Sequence, residues 1–531
     1  MYRDLFAKEA LAQIPKILTL LDRNPHSPTY GCFDRNFWHY KTVDFPSGMV
    51  QELVLPLALV YNTKISGNLF YKQSSIRDWV EAGILYTAKS AAKNGSCIDY
   101  LPYGSNIEAT AFSLLASIES YQLLELKNYT VLRFLENQAN WLAKNQNSDA
   151  VSHRQSLIVL SLELLSQILQ TSKWDRAKAL FLERLLDKQS AEGWFLETEG
   201  CDPGYHTLTI SCLARIYEIR QNDRLKEAID KAVKLASYFI HPDGSYSGEY
   251  GSRNNYNFFP HGLELVGNWM PEALQINDKF LMGMAKGLNT CYADDRSLGY
   301  PTANYLLAWR DFVNLRPPQS QPEPIRIWLK EAGIIIDRHP ETELYIGLNK
   351  GGVFKLFHGQ TLITSDTQIS LQLKEKGKIK TAVAHLIDYY TIQATEDEII
   401  IQGSLSWVQP ELMTPGKTML LRLLMLIFGY ILPDFIRKKI EPIPKYEKQQ
   451  APFRFYRRFR WENNQCHLLD VIYANLSWNN VISVGISSSQ TSIDEANSCT
   501  FQWGQLQPWI DLTDEVKKLT SEQPLKLERY L

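Results

Sequence analysis

The chain has 531 residues, of which 45% are hydrophobic and 21% charged, with a formal net charge of −2. That length exceeds what one hydrophobic core serves and calls for two or three domains, while the apolar fraction excludes a disordered tail. Lysine and arginine are not massed along the chain, which argues against a nucleic-acid partner. Seven cysteines without a C-x-x-C spacing read as scattered buried thiols in a reducing compartment, not as a disulfide frame or zinc site.

The N-terminal run MYRDLFAKEALAQIPKILTLLDRNP mixes acidic with apolar residues and has no small-residue cleavage pattern, so it predicts an amphipathic helix. No export signal or membrane-spanning helix is read, and a cytoplasmic chain is expected. The aromatic, charged segment Phe33–Tyr40, followed by Asp44-Phe45-Pro46, fits either a cleft wall or packing of the N-terminal cap. Apolar helices are then predicted to start near Ile107, Arg154, Thr207 and His261, about fifty residues apart, each preceded by a loop and a more polar helix. A period of that size with two helices per unit means stacked helical hairpins, apolar helices inside and polar ones outside.

If those hairpins close into an (α/α) toroid, the loops leading to the inner helices meet at one mouth. They carry Asp99, Tyr100 and Tyr103; then Ser152, His153 and Arg154; then Glu197, Asp202, Tyr205 and His206; then Tyr246, Glu249, Tyr250, Arg253, Asn254, Tyr256 and His261. The run Arg316-Pro317-Pro318-Gln319-Ser320-Gln321-Pro322-Glu323-Pro324 cannot continue a helix. It divides a toroid over 1–315 from residues 325–531, with a linker at 316–324. Short runs such as TELYIGL, GGVFKLF, EIIIQGSLSWV and FRFYRRFRWE then predict a C-terminal antiparallel β-sandwich. The stretch MLLRLLMLIFGYIL, Met419–Leu432, is an insertion near 413–450. It is too short for a bilayer, which takes about 20 residues. Lys417 and Arg437-Lys438-Lys439 flank it and Arg422 lies within its start, a pattern that fits peripheral contact with an anionic membrane through 417–439. Packing of the insertion over the sandwich is the preferred reading.

A cleft lined by tyrosine, histidine, arginine and carboxylates suits a carbohydrate, because aromatic faces stack on sugar rings and polar groups fix hydroxyls and any uronate carboxylate. Two reactions fit these residue types. In β-elimination a Tyr or His removes the proton alpha to the carboxylate while Asn, His or Arg stabilises the enolate-like charge. In hydrolysis two carboxylates flank the glycosidic bond, with Asp99, Glu197, Asp202 and Glu249 as candidates. Neither reaction calls for a metal or cofactor.

The run GWFLETEGCDPGYHT, residues 193–207, resembles the segment of the heparinase II/III-like polysaccharide lyases in which a glycine–tryptophan loop and a glutamate precede a catalytic tyrosine at the head of a helix. The resemblance implies a helical toroid with a β-sandwich, acting by β-elimination on a uronate-containing acidic polysaccharide. It places Tyr205 at the tyrosine and His153 at the histidine of an Asn-His pair whose asparagine is Ser152 here, with Asn147 or Arg154 as substitutes. A further histidine from the sandwich would be His358. Arg154, Glu197, Tyr250, Arg253, Asn254 and Tyr103 are the expected substrate contacts. Two alternatives stand beside this reading: a non-catalytic glycan-binding or surface-polysaccharide biosynthesis partner, and a glycoside hydrolase on the same toroid.

Overall fold

The computed structural model describes residues 2–99, 106–145, 151–292, 294–318, 323–375, 377–408, 414–428, 449–462, 465–487, 498–506, 509–520 and 523–531. Tyr100, Tyr103, Asn147 and Arg437-Lys438-Lys439 lie outside the described residues.

The N-terminal half is built from α1 (Arg3–Leu20), α2 (Val54–Asn62), α3 (Ser74–Ser90), α4 (Ile107–Leu123), α5 (Tyr129–Lys144), α6 (Ser152–Leu169), α7 (Asp175–Asp187), α8 (Pro203–Ile219), α9 (Asp223–Ala236), α10 (His261–Val266), α11 (Glu272–Ala285) and α12 (Gly299–Arg310). Their starts are fixed locally. Asn106, Asn128, Asp202 and Asn222 each accept a backbone N–H from the first turn of α4, α5, α8 and α9, and Pro203 occupies the first turn of α8, where its missing N–H costs nothing. The even-numbered helices form the inner ring: each packs on the next, and α12 returns to α2, so the ring closes. Inner helices are apolar on nearly every side, as in α4, where all thirteen residues from Ala109 to Tyr121 are buried. Outer helices bury one stripe, as α9 does with Leu225, Ala228, Ile229 and Ala232. The Asp243-Gly244 turn crosses α11 so closely that a side chain at Gly244, whose φ is +92°, would collide with the Lys279 carbonyl.

A short ladder follows, β1 (Cys291–Tyr292), whose partner is supplied by the far end of the chain. The C-terminal half begins with a five-stranded antiparallel meander, β2 (Ile325–Leu329), β3 (Ile334–Arg338), β4 (Thr342–Gly347), β5 (Val353–His358) and β6 (Thr361–Asp366). A larger antiparallel sheet contains β7 (Ile369–Glu375), β8 (Lys378–Val383), β9 (Thr391–Ala394), β10 (Glu398–Val408), β11 (Gln450–Glu462), β12 (Gln465–Ala474) and β13 (Val481–Ile486), with β14 (Ser498–Cys499) pairing back onto β1. The meander's central strands, β3 to β5, are largely buried on both faces. Ile335, Leu344, Ile346 and Phe354 face the sandwich core, whereas Ile334, Ile336, Tyr345 and Phe357 join the core of the toroid. Alternation in these strands therefore separates two apolar environments, not apolar from wet. Arg457 is fully buried in the sandwich, bonded to Asp366 and Asp470.

Helix α13 (Pro415–Phe428) spans part of the predicted insertion. Met419, Leu420, Leu423 and Ile427 on it are each more than half exposed, so these four side chains do not pack over the sandwich as preferred from sequence. Arg422 Nε pairs with Asp44 Oδ2 at 2.8 Å and ties the helix to the toroid. No helix among the described residues is long and apolar enough to cross a membrane.

Candidate functional site

The first turn of α6 and the loop before α8 are stitched together by Ser152. Its N–H and Oγ both donate to the Leu196 carbonyl, at 3.0 and 2.7 Å, and its side chain is buried. Ser152 therefore cannot do the work of an asparagine facing a substrate. The same stitching delivers Glu197 to His153. Glu197 Oε1 accepts the His153 backbone N–H at 2.9 Å, and Oε2 lies 2.6 Å from Nδ1.

His153 Nε2 points the other way, 3.8 Å from Glu108 Oε1, while Arg154 Nη2 donates to Glu108 Oε2 at 3.1 Å. The ring of Tyr205, from the first turn of α8, stacks on the His153 ring with centroids 4.2 Å apart and planes 16° from parallel. Arg253 lies over the Tyr205 ring at 5.6 Å and donates to Thr198 Oγ1. Packing of neighbouring inner helices thus brings together His153, Arg154, Glu197, Tyr205 and Arg253 from three successive helix entries.

The charge states follow from these contacts. Burial disfavours a cationic imidazole, but Glu197 and Glu108 override it and raise the His153 pKa to about 9. Burial would likewise raise Glu108, yet His153 and Arg154 hold it well below the usual carboxylate range. Burial, reinforced by Glu108, raises Tyr205, with Arg253 opposing. At neutral pH the site holds an imidazolium, a carboxylate and a neutral phenol. Asp202, raised to about 6 by burial, is occupied with capping Tyr205 N–H and accepting from Asn255. His206, lowered to about 4 by burial, bonds the Ala232 carbonyl.

A cavity of about 150 Å³ opens beside Tyr205 and Glu108, lined also by Met49, Asp99, Asn106, Asp294 and Arg296. Asp99 is held there by Ser47 Oγ at 2.6 Å, by Arg296 and by Asn106 Nδ2 at 3.4 Å. Sequence reasoning missed Asn106, Glu108, Asp294 and Arg296. Asn106 and Glu108 read as the cap and first-turn acid of an apolar helix, which they also are.

Two expected contacts lie elsewhere. Tyr250 is fully buried where the two halves meet, its Oη 3.0 Å from His241 Nε2 and its ring stacked on Tyr345, so it does not line the cleft. His358 stands exposed at the end of β5, 3.5 Å from Glu341. Its strand turns Lys355, not His358, toward the toroid. There Lys355 Nζ lies 3.1 Å from Glu249 Oε2 and donates to Tyr256 Oη at 2.8 Å. Asn254 is buried beside Arg253 in sequence, with its carboxamide Oδ1 unbonded among the described residues. Glu249 belongs to the same junction, which removes it from the list of hydrolytic carboxylates, and Glu197 and Asp202 are buried and fully engaged.

No family model and no curated protein matches this sequence. Solved structures do match its shape. A Streptomyces coelicolor A3 chondroitin AC lyase in complex with chondroitin sulphate aligns at TM-score 0.55 and 9% identity, over 100% of this chain and 76% of that one. The fold is that of the heparinase-like polysaccharide lyases. Heparinase III aligns at TM-score 0.51 and 10% identity over 84% of this chain, which spans 65% of the heparinase III length. Identities this low speak for the lyase fold alone. They agree with a helical toroid joined to an antiparallel β domain.

Proposed function

We propose that this lyase-fold chain cleaves a uronate-containing acidic polysaccharide by β-elimination. The observation that supports this most is the His153–Tyr205 stack with Arg253 over the tyrosine, at the mouth of a closed toroid. In this reading the uronate carboxylate takes the place of the Glu108 carboxylate against His153 Nε2 and Arg154. The uronate carboxylate replaces the Glu108 charge there, so burial is what disfavours ionisation of Tyr205, and Arg253 beside its ring is the group that favours the phenolate. The phenolate takes the proton alpha to the carboxylate, and His153 and Arg154 stabilise the enolate-like charge. Collapse of that charge forms the ring double bond and breaks the bond to the leaving oxygen, which receives the same proton back from Tyr205.

The test is ultraviolet absorbance of the unsaturated ring on incubation with chondroitin sulphate, heparin and other uronate polymers. Tyr205→Phe should abolish the signal, and a Tyr205→Phe protein that retains it refutes the assignment. A second reading, a glycan-binding protein without turnover, is favoured by one observation: Glu108 already engages both cationic groups meant for substrate. Binding of these polymers with no absorbance change would select it.

A further inference from the structure

Two of the seven cysteines face each other across the only ladder that joins the two halves through backbone pairing among the described residues. In β1 and β14 the antiparallel register sets Cys291 directly opposite Cys499, and Tyr292 opposite Ser498. Directly opposed residues in an antiparallel pair have Cα atoms about 4.5 or about 5.5 Å apart. A disulfide accepts about 4.4–6.8 Å, so the Cα spacing of either pairing type falls within its range. Access differs between the two. Cys291 is exposed and Cys499 half-buried, while Cys32, Cys97, Cys201, Cys212 and Cys466 are buried.

We propose that Cys291 and Cys499 are a redox pair that closes to an interdomain disulfide under oxidising conditions. With a low-molecular-weight disulfide such as oxidised glutathione as oxidant, the exposed Cys291 thiolate attacks one glutathione sulfur and releases one glutathione thiolate. The Cys499 thiolate then attacks the Cys291 sulfur and releases the second. One disulfide is broken and one formed, and the two protein thiol protons end on two glutathiones. Burial, reinforced by Glu249, raises the Cys499 pKa to about 12, which makes Cys291 the first to react.

The bond would act on the cleft from both sides of the ladder. Asp294 and Arg296, in the cavity beside Tyr205, follow Cys291 within five residues. On the other strand Ser498 Oγ donates to Asn255 Oδ1 at 3.2 Å and accepts the Tyr256 N–H at 2.9 Å, in the loop that carries Arg253. Oxidation thus pins the cleft rim without needing any rearrangement of the core.

The test titrates the full chain with oxidised glutathione, then maps its peptides without reduction. The denatured thiol count should fall from seven to five, with one peptide joining Cys291 to Cys499. The unfolding midpoint should rise by roughly 5–10 °C, because so long a loop is closed. Cys499→Ser should stop at a Cys291–glutathione adduct, and Cys291→Ser should keep its remaining thiols. A wild-type protein that accumulates only the Cys291 adduct, or that forms Cys291–Cys291 dimers on a non-reducing gel, overturns the proposal. So does a thiol count that stays at seven.

Discussion

Replacing Glu108 by glutamine tests the charge balance of the cleft directly. Glu108 Oε1 lies 3.8 Å from His153 Nε2, and its side chain is about one-third exposed. Two unit charges at that separation interact by roughly 1 kcal/mol in bulk water and by roughly 4 kcal/mol at an effective dielectric of about 20. Exposure places this pair near the lower figure. At about 1.4 kcal/mol per pKa unit, Glu108→Gln should lower the His153 pKa by about one unit. Wild-type His153 should titrate near the value of about 9 set by burial against Glu197 and Glu108, and the variant near about 8. The sign for stability follows from a folded pKa above the ordinary 6.5. The stabilisation is complete below about 6.5 and is lost as pH rises through about 9 in the wild type, but already through about 8 in the variant. Imidazole proton shifts followed by NMR, with His153→Gln to assign the resonance, measure both values. A wild-type His153 titrating at or below 6.5, or one that ignores Glu108→Gln, refutes the charge pairing of Glu108 with His153.

Two further substitutions probe the frame around the site. Lys355→Met strands the buried Glu249 carboxylate and should cost about 3–5 kcal/mol in denaturant unfolding, with the added Glu249→Gln recovering part of it; a loss under about 1 kcal/mol would contradict a tight junction. Ser152→Asn restores the residue type of the lyase pair but forces a larger group between α6 and the Leu196 carbonyl. It should destabilise by about 1–3 kcal/mol and raise no absorbance signal, and a gain in turnover would show that Ser152 does face substrate.

The helical half was legible because burial repeats there with a simple period. Inner helices such as α4 and α8 are apolar all round, outer ones such as α9 carry one stripe, and the loops between them recur about every fifty residues. Once α6 packs on α8, His153 and Tyr205, fifty-two positions apart, come to a 4.2 Å stack. What stayed hidden depends on direction, not on composition. Glu108 is an ordinary first-turn acid until the neighbouring helix turns His153 and Arg154 toward it. Tyr250 carries the chemistry of a sugar contact but is covered by Tyr345 from a distant strand. Ser152 was legible as a departure from the lyase pattern, whereas its bond to Leu196 required the loop before α8 to be in place.

Lys350 is buried, and its Nζ donates to the backbone carbonyls of Glu249 and Gly251, at 2.7 and 2.9 Å. Gly347 lies against the Tyr250 backbone with no room for a side chain. The strand domain therefore moulds the segment that presents Arg253, much as a jig holds a workpiece. The two halves are not interchangeable modules. A graft of this toroid onto a foreign β domain would keep His153 and Tyr205 in register yet set Arg253 adrift, so any recombined chain must carry Lys350, Lys355 and Gly347 along with the ring.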